Sequence, residues 1–152
     1  MVSPQLTRTS PPSEIEDCTQ SWTFPTNHFD FIHIRGLVGS IDDWNALFQR
    51  AFACLKPGGW LESFELSPCW DSDDGTVTET SAMGQWGKIF IQGGKQFGRT
   101  FTVIHDGLQR KGIEAAGFVD IQERNIKVSF FFFFSPGFVL YPSIQLYGVR
   151  SM

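Results

Sequence analysis

Apolar and polar positions along the chain fall into three strand-like runs and one strong helical stripe. Phe29-Asp30-Phe31-Ile32-His33-Ile34-Arg35 is short, β-branched and aromatic, and is followed at once by Gly36. That pattern predicts a buried strand of a parallel sheet. Trp44, Leu47, Phe48, Ala51, Phe52 and Leu55 then recur at i, i+3, i+4, i+7, i+8 and i+11 and predict a helix over 41–55. Ser40 stands where it can cap this helix, with Asp43 three residues on approximating a capping box. Lys56 falls in the last turn, where the dipole favours a cation, and Pro57-Gly58-Gly59 is the stop. Residues 60–66 form the second strand-like run. Strand, helix, glycine turn and strand make a βαβ unit, which calls for parallel strands and a right-handed crossover.

Further on the pattern is less regular. Residues 67–79 form a polar loop, and residues 80–116 have helical character broken by Gly84, Gly87, Gly93, Gly94 and Gly98. The stretch 106–116 is the clearer helix, with Gly117 as its C-cap. Residues 118–127 alternate and predict a third strand. Residues 1–13, rich in Ser, Thr and Pro, are expected to be a disordered leader. Residues 128–152 break with what precedes them: they hold one charged residue, Arg150, and five consecutive phenylalanines, Phe130 to Phe134.

Composition narrows the functional classes. A chain of 152 residues with 41% hydrophobic and 18% charged residues is of single-domain length and can form a core. The net charge of −4, with no basic cluster, argues against nucleic-acid binding. Cys18, Cys54 and Cys69 form no CxxC pair, so neither a disulfide framework nor a zinc site is expected. A reducing compartment, cytoplasmic or nuclear, follows, and the N-terminus has no apolar signal region. Asp71-Ser72-Asp73-Asp74-Gly75 has Thr76 and Ala82 where a calcium loop needs Gly and Glu, so no metal is expected there. Gly93-Gly94-Lys95-Gln96-Phe97-Gly98 lacks the spacing of a phosphate-binding turn.

Three segments carry a resemblance. Trp22-Thr23-Phe24-Pro25 with Asn27 to Arg35 is similar to the fourth-strand motif of fungal LaeA-like methyltransferases. Leu55-Lys56-Pro57-Gly58-Gly59-Trp60-Leu61-Glu62 resembles their fifth-strand motif, and Gly112 to Phe118 resembles the Ala-Gly-Phe turn before their sixth. The likeness covers about residues 14–127. It implies an α/β, partial Rossmann-like methyltransferase fold, with strands four, five and six and their helices, but without the N-terminal cofactor-binding half. The family strand order, 3-2-1-4-5-7-6, leaves the sixth strand without a partner unless the tail supplies the seventh. The fourth would then present an open edge.

The same resemblance implies S-adenosyl-L-methionine as cofactor and an unknown methyl acceptor. Binding by this chain is expected to be weak or absent, because the Gly-rich turn after the first strand and the acid after the second are missing. Asp17, with Cys18 beside it, matches the acidic turn whose Asp accepts the adenine amino group, or else is an ordinary acidic loop. Ile34 and Arg35 end a parallel strand, where ligands of such sheets lie. Arg35 is open to a second reading, as a solvated residue bonding a nearby carboxylate. His33 reads as a satisfied core histidine, and no catalytic residue can be assigned. Two rivals stand beside the enzyme reading: a non-catalytic remnant that binds a protein partner, and a gene-model fragment.

The tail is expected to be translated intron, since a GTNAGT splice donor encodes Val-Ser, matching Val128-Ser129, and pyrimidine-rich sequence encodes phenylalanine. A membrane anchor is disfavoured by Ser129, Ser135, Pro136, Gly137, Pro142, Ser143 and Gln145, because a spanning helix needs ~20 largely apolar residues. A real seventh strand is the other reading, with 143–149 its best stretch.

Overall fold

The computed structural model describes residues 16–130 and 139–151, with side chains at 16–126 and 146–151. The leader and Phe131 to Phe134 lie outside the described residues. In chain order the elements are β1 (Phe29–Arg35), α1 (Trp44–Cys54), β2 (Leu55–Leu66), β3 (Asp71–Ser72), α2 (Ala82–Gln96), α3 (Leu108–Ala116), β4 (Phe118–Phe130) and β5 (Val139–Arg150).

The βαβ unit forms, with different punctuation. Asp43, not Ser40, caps α1: its carboxylate accepts from Ala46 N–H at 2.9 Å. Ser40 instead closes a turn onto Leu37 O at 2.9 Å. The reason is Ile41, 1% exposed, whose insertion into the core holds 40–42 in a turn and delays the helix. At the other end Leu55 is already extended, so Lys56 lies beyond the helix, where its ammonium meets Asp30 at 2.7 Å. Pro57-Gly58-Gly59 is therefore an irregularity at the start of β2 rather than a helix stop. Gly58 takes φ +78°, opposite the register shift between Phe29 and Phe31.

β1 and β2 pair in parallel, from Phe31↔Trp60 to Arg35↔Phe64. β5 runs antiparallel to β2, from Trp60↔Val149 to Leu66↔Ser143, and on its other side pairs with β4. The order β1-β2-β5-β4 reproduces positions 4-5-7-6 of the order the resemblance implies. The stretch 143–149 thus pairs as the seventh-strand reading requires. The short β3 continues beside β5 past the end of β2, in what the sequence suggested was loop.

The core lies on one face of this sheet. Ile34, Leu61 and Leu146 meet Leu47, Phe48, Ala51 and Ile113 from α1 and α3. α3 approaches closely because Gly112 has no side chain, and a Cβ there would come within 2.6 Å of Phe48 Cδ2. Gly117, at φ +97°, ends α3 as expected. The opposite face is uncovered among the described residues, with Phe31 52% and Trp60 46% exposed. β1 is accordingly buried on one face only, not on both.

Candidate functional site

Parallel strands direct a ligand to their carboxyl ends, and here that place is the loop joining β1 to α1. Gly36, at φ +68°, turns the chain out of β1. The amides that follow are held by Glu65 near the end of β2: Leu37 N–H donates to both carboxylate oxygens, at 3.0 and 2.8 Å, and Val38 N–H to one at 3.0 Å. Glu65 is fully buried. Burial pushes its carboxyl above the ordinary value, and hydrogen bonds from the amides of Leu37, Val38 and Gly36 pull the other way. The loop backbone itself thus supplies hydrogen-bond partners to the buried carboxyl group. Sequence reasoning missed Glu65. The signal was its phase: Leu61, Ser63 and Glu65 share the buried face of β2, and an acid at such a position needs a dedicated partner.

The four residues singled out from sequence do not converge. Ile34 is 6% exposed and belongs to the core beneath α1. Cys18 packs against the same core, and its carbonyl accepts from Trp22 Nε1 at 3.2 Å and Arg50 Nη1 at 3.3 Å. Asp17 is exposed, with Oδ1 accepting from Thr19 N–H at 2.9 Å and Thr19 Oγ1 at 2.7 Å. Those bonds, with smaller contributions from Arg99 and Arg50, hold its carboxyl below the usual range. Arg35 is on the opposite, uncovered face, with its guanidinium 5.3 Å from the centre of the Phe64 ring. Strand alternation separates Ile34 from Arg35.

His33 is likewise not a core histidine. Its side chain is 43% exposed on the uncovered face, with Nδ1 2.9 Å from Glu62 Oε2. The neighbouring apolar residues suggested burial on both sides of β1, but only one side is packed.

Among the described residues no group of three or more His, Cys, Asp or Glu could hold a metal ion, and no helix is long and apolar enough to cross a membrane. Residues 6–123 match the methyltransferase-domain family. Over 107 residues the chain is 38% identical to the probable methyltransferase tdiE of Emericella nidulans, covering 70% of this chain and 32% of that protein. It is 33% identical over 115 residues to the secondary metabolism regulator LAE1 of Cochliobolus heterostrophus, covering 75% and 37%. The chain thus spans about a third of the length of these curated relatives. Its fold resembles a SAM-dependent methyltransferase from Methanosarcina mazei, with a TM-score of 0.60 and 14% identity, over 99% of this chain and 73% of that one. By its family match this chain belongs to the methyltransferase-domain family, and its curated relatives are fungal methyltransferases and LaeA-type secondary-metabolism regulators.

Proposed function

We propose that this chain is the second half of an S-adenosylmethionine-dependent methyltransferase of fungal secondary metabolism, acting in the cytosol or nucleus. The observation that carries the reading is the parallel β1–β2 pair joined through α1, with its braced loop at the carboxyl ends of the two strands. Asp17 fits the adenine end of the cofactor, because it is exposed and Thr19 engages only Oδ1. Cys18 and Ile34 would act only by supporting the core behind such a site, and Arg35 stands on the far face of the sheet. The bound cofactor would supply an electrophilic methyl group on a sulfonium sulfur. The chain's own contribution is orientation, with no side chain assigned as base or nucleophile.

Alone, this chain should hold the cofactor too weakly for turnover, no better than millimolar, or about −4 kcal/mol. Titration calorimetry with S-adenosylmethionine reads this directly, and a micromolar dissociation constant would overturn it. Any residual heat should vanish in Asp17→Ala with the far-ultraviolet dichroism unchanged, since Asp17 is exposed. A non-catalytic, partner-binding role is the second reading, favoured by the uncovered sheet face around Phe31 and Trp60.

The chain then divides into a leader at 1–13, of which residues 6–13 fall inside the family match, a partial domain at 14–127 and an intron-derived tail at 128–152, which would make it a gene-model fragment. The near absence of charge in the tail and a family match ending at residue 123 support that boundary. The central place of β5 supports the seventh-strand alternative for 143–149. Transcript sequencing decides between them. Intron origin requires a spliced message lacking this segment, and finding only messages that retain it would refute that origin.

A further inference from the structure

We propose that the outer side of α2, where it meets the β1–α1 loop, is a binding site for a flat, neutral aromatic molecule. This deepens the methyltransferase reading by giving its acceptor a place and a chemical class, and in that respect it rests on that reading.

α2 is built inside out. Its close contacts are made by glycines: a Cβ at Gly87 would lie 2.7 Å from Cys69 Sγ, and one at Gly94 would lie 2.5 Å from Phe101 Cδ2. Met83, Phe90 and Ile91 are half-buried, but Trp86 is 48% and Ile89 65% exposed, and Phe97, just past the helix end, is 80% exposed. Surface helices ordinarily bury their apolar stripe and turn their small or polar residues outward.

The exposed residues are not scattered. Ile89, Phe90, Gly93, Phe97, Phe101 and Gly39 line a hollow of about 340 Å³. That volume lies within the ~300–1,000 Å³ of small-molecule sites, whose walls are mostly apolar. Its size fits a molecule of two or three fused rings better than the broad patch a folded protein partner would cover.

The rings favour an aromatic occupant. Trp86 and Phe90 lie 5.4 Å apart between centroids, and Phe90 and Phe101 lie 5.6 Å apart. Both pairs are within the ~4.5–7 Å over which aromatic rings attract, and a further ring can extend the series. The Phe101 ring packs on Gly39 so closely that no side chain fits there. Arg99 is the one charged residue of the lining, and its Nη1 is bound to Ser40 O at 2.9 Å, with Asp42 3.8 Å away. With that side chain held by Ser40 O and facing Asp42, the rest of the lining is apolar.

Location links the hollow to methyl transfer. Gly39 belongs to the loop at the carboxyl end of β1, the side on which the cofactor of such a sheet lies. Gly39 N–H donates to Thr100 O at 3.2 Å, which ties the rim to that loop. A ligand in the hollow therefore presents its near edge to the loop that Glu65 braces.

The test titrates 2-naphthol into the whole chain by calorimetry, without cofactor. Gly93→Leu is the principal variant: a Cβ there meets nothing within 4 Å, so the added side chain starts from open space in the wall of the hollow, and it improves helix propensity. Phe97→Ser removes a ring so exposed that folding does not depend on it. Saturable one-to-one binding is expected, weakened at least about tenfold by Gly93→Leu and several-fold by Phe97→Ser, with neither variant melting below the parent chain. Absence of saturable binding, or equal affinity in the chain and both variants, overturns the proposal. Because the titration contains no S-adenosylmethionine, it can fail while the methyltransferase reading stands, and the cofactor titration can fail while the hollow binds.

Discussion

Replacing Phe48 by alanine is expected to cost about 3–5 kcal/mol, a large part of the ~5–15 kcal/mol that holds a domain of this size together. Phe48 is fully buried, stacks obliquely on Trp44 with 5.8 Å between centroids, and fills the contact left by Gly112 of α3. Truncation removes the transfer energy of the ring and leaves a cavity, because α1 and α3 are fixed by separate packing against the sheet and cannot close over it. Gln49, the next residue on the same helix, is exposed, and its replacement by alanine should change stability by no more than ~0.5 kcal/mol. Urea unfolding of the two variants makes the comparison. A lower midpoint with an unchanged slope is expected for Phe48→Ala alone. A loss below about 1 kcal/mol would mean that α1 does not pack on α3 through this ring.

Ending the chain after Lys127 is expected to abolish cooperative unfolding altogether. The deletion removes β5, the strand between β2 and β4, so β4 loses its partner and β2 keeps only β1. It also removes Leu146, 1% exposed in the core, and the close approach of Gly148 to Phe118 and Ile113. Arg150, the tail's only charge, is lost as well. Its guanidinium donates to Asn27 Oδ1, Ala53 O and Leu55 O and lies 4.8 Å from the centre of the Phe52 ring. The measurement is near-ultraviolet dichroism and urea unfolding of residues 1–127. Retention of the full-length midpoint would show that the sheet does not need β5, and would strip the tail of a structural role whatever its origin.

The βαβ unit was legible in the amino-acid sequence because its signals are local and mutually consistent. The stripe from Trp44 to Leu55 has one period, β1 and β2 are apolar runs on either side of it, and Gly117 sits where a helix must reverse into a left-handed cap. The parallel pairing then follows from chain geometry and handedness. Caps were less legible, because Ser40 and Asp43 are both competent. The choice between them fell to Ile41, whose burial is a tertiary fact.

The candidate site depended on which faces are covered, and periodicity does not report that. His33 and Arg35 stand in a run apolar enough for a strand buried on both sides, yet one side of β1 is open and both side chains lie there. α2 has a helical stripe that packs the wrong way round, since its glycines allow a closer approach than its aromatics do. Glu65 is unremarkable as a letter in β2, and becomes the brace of the loop between β1 and α1 only when Leu37 and Val38 are brought over it from more than twenty-five residues away. The elements of the βαβ unit, their parallel pairing and the family likeness were thus determined by the sequence itself. The tertiary structure alone decided which polar groups are buried and which apolar faces are left bare, because both depend on contacts between segments far apart in the chain.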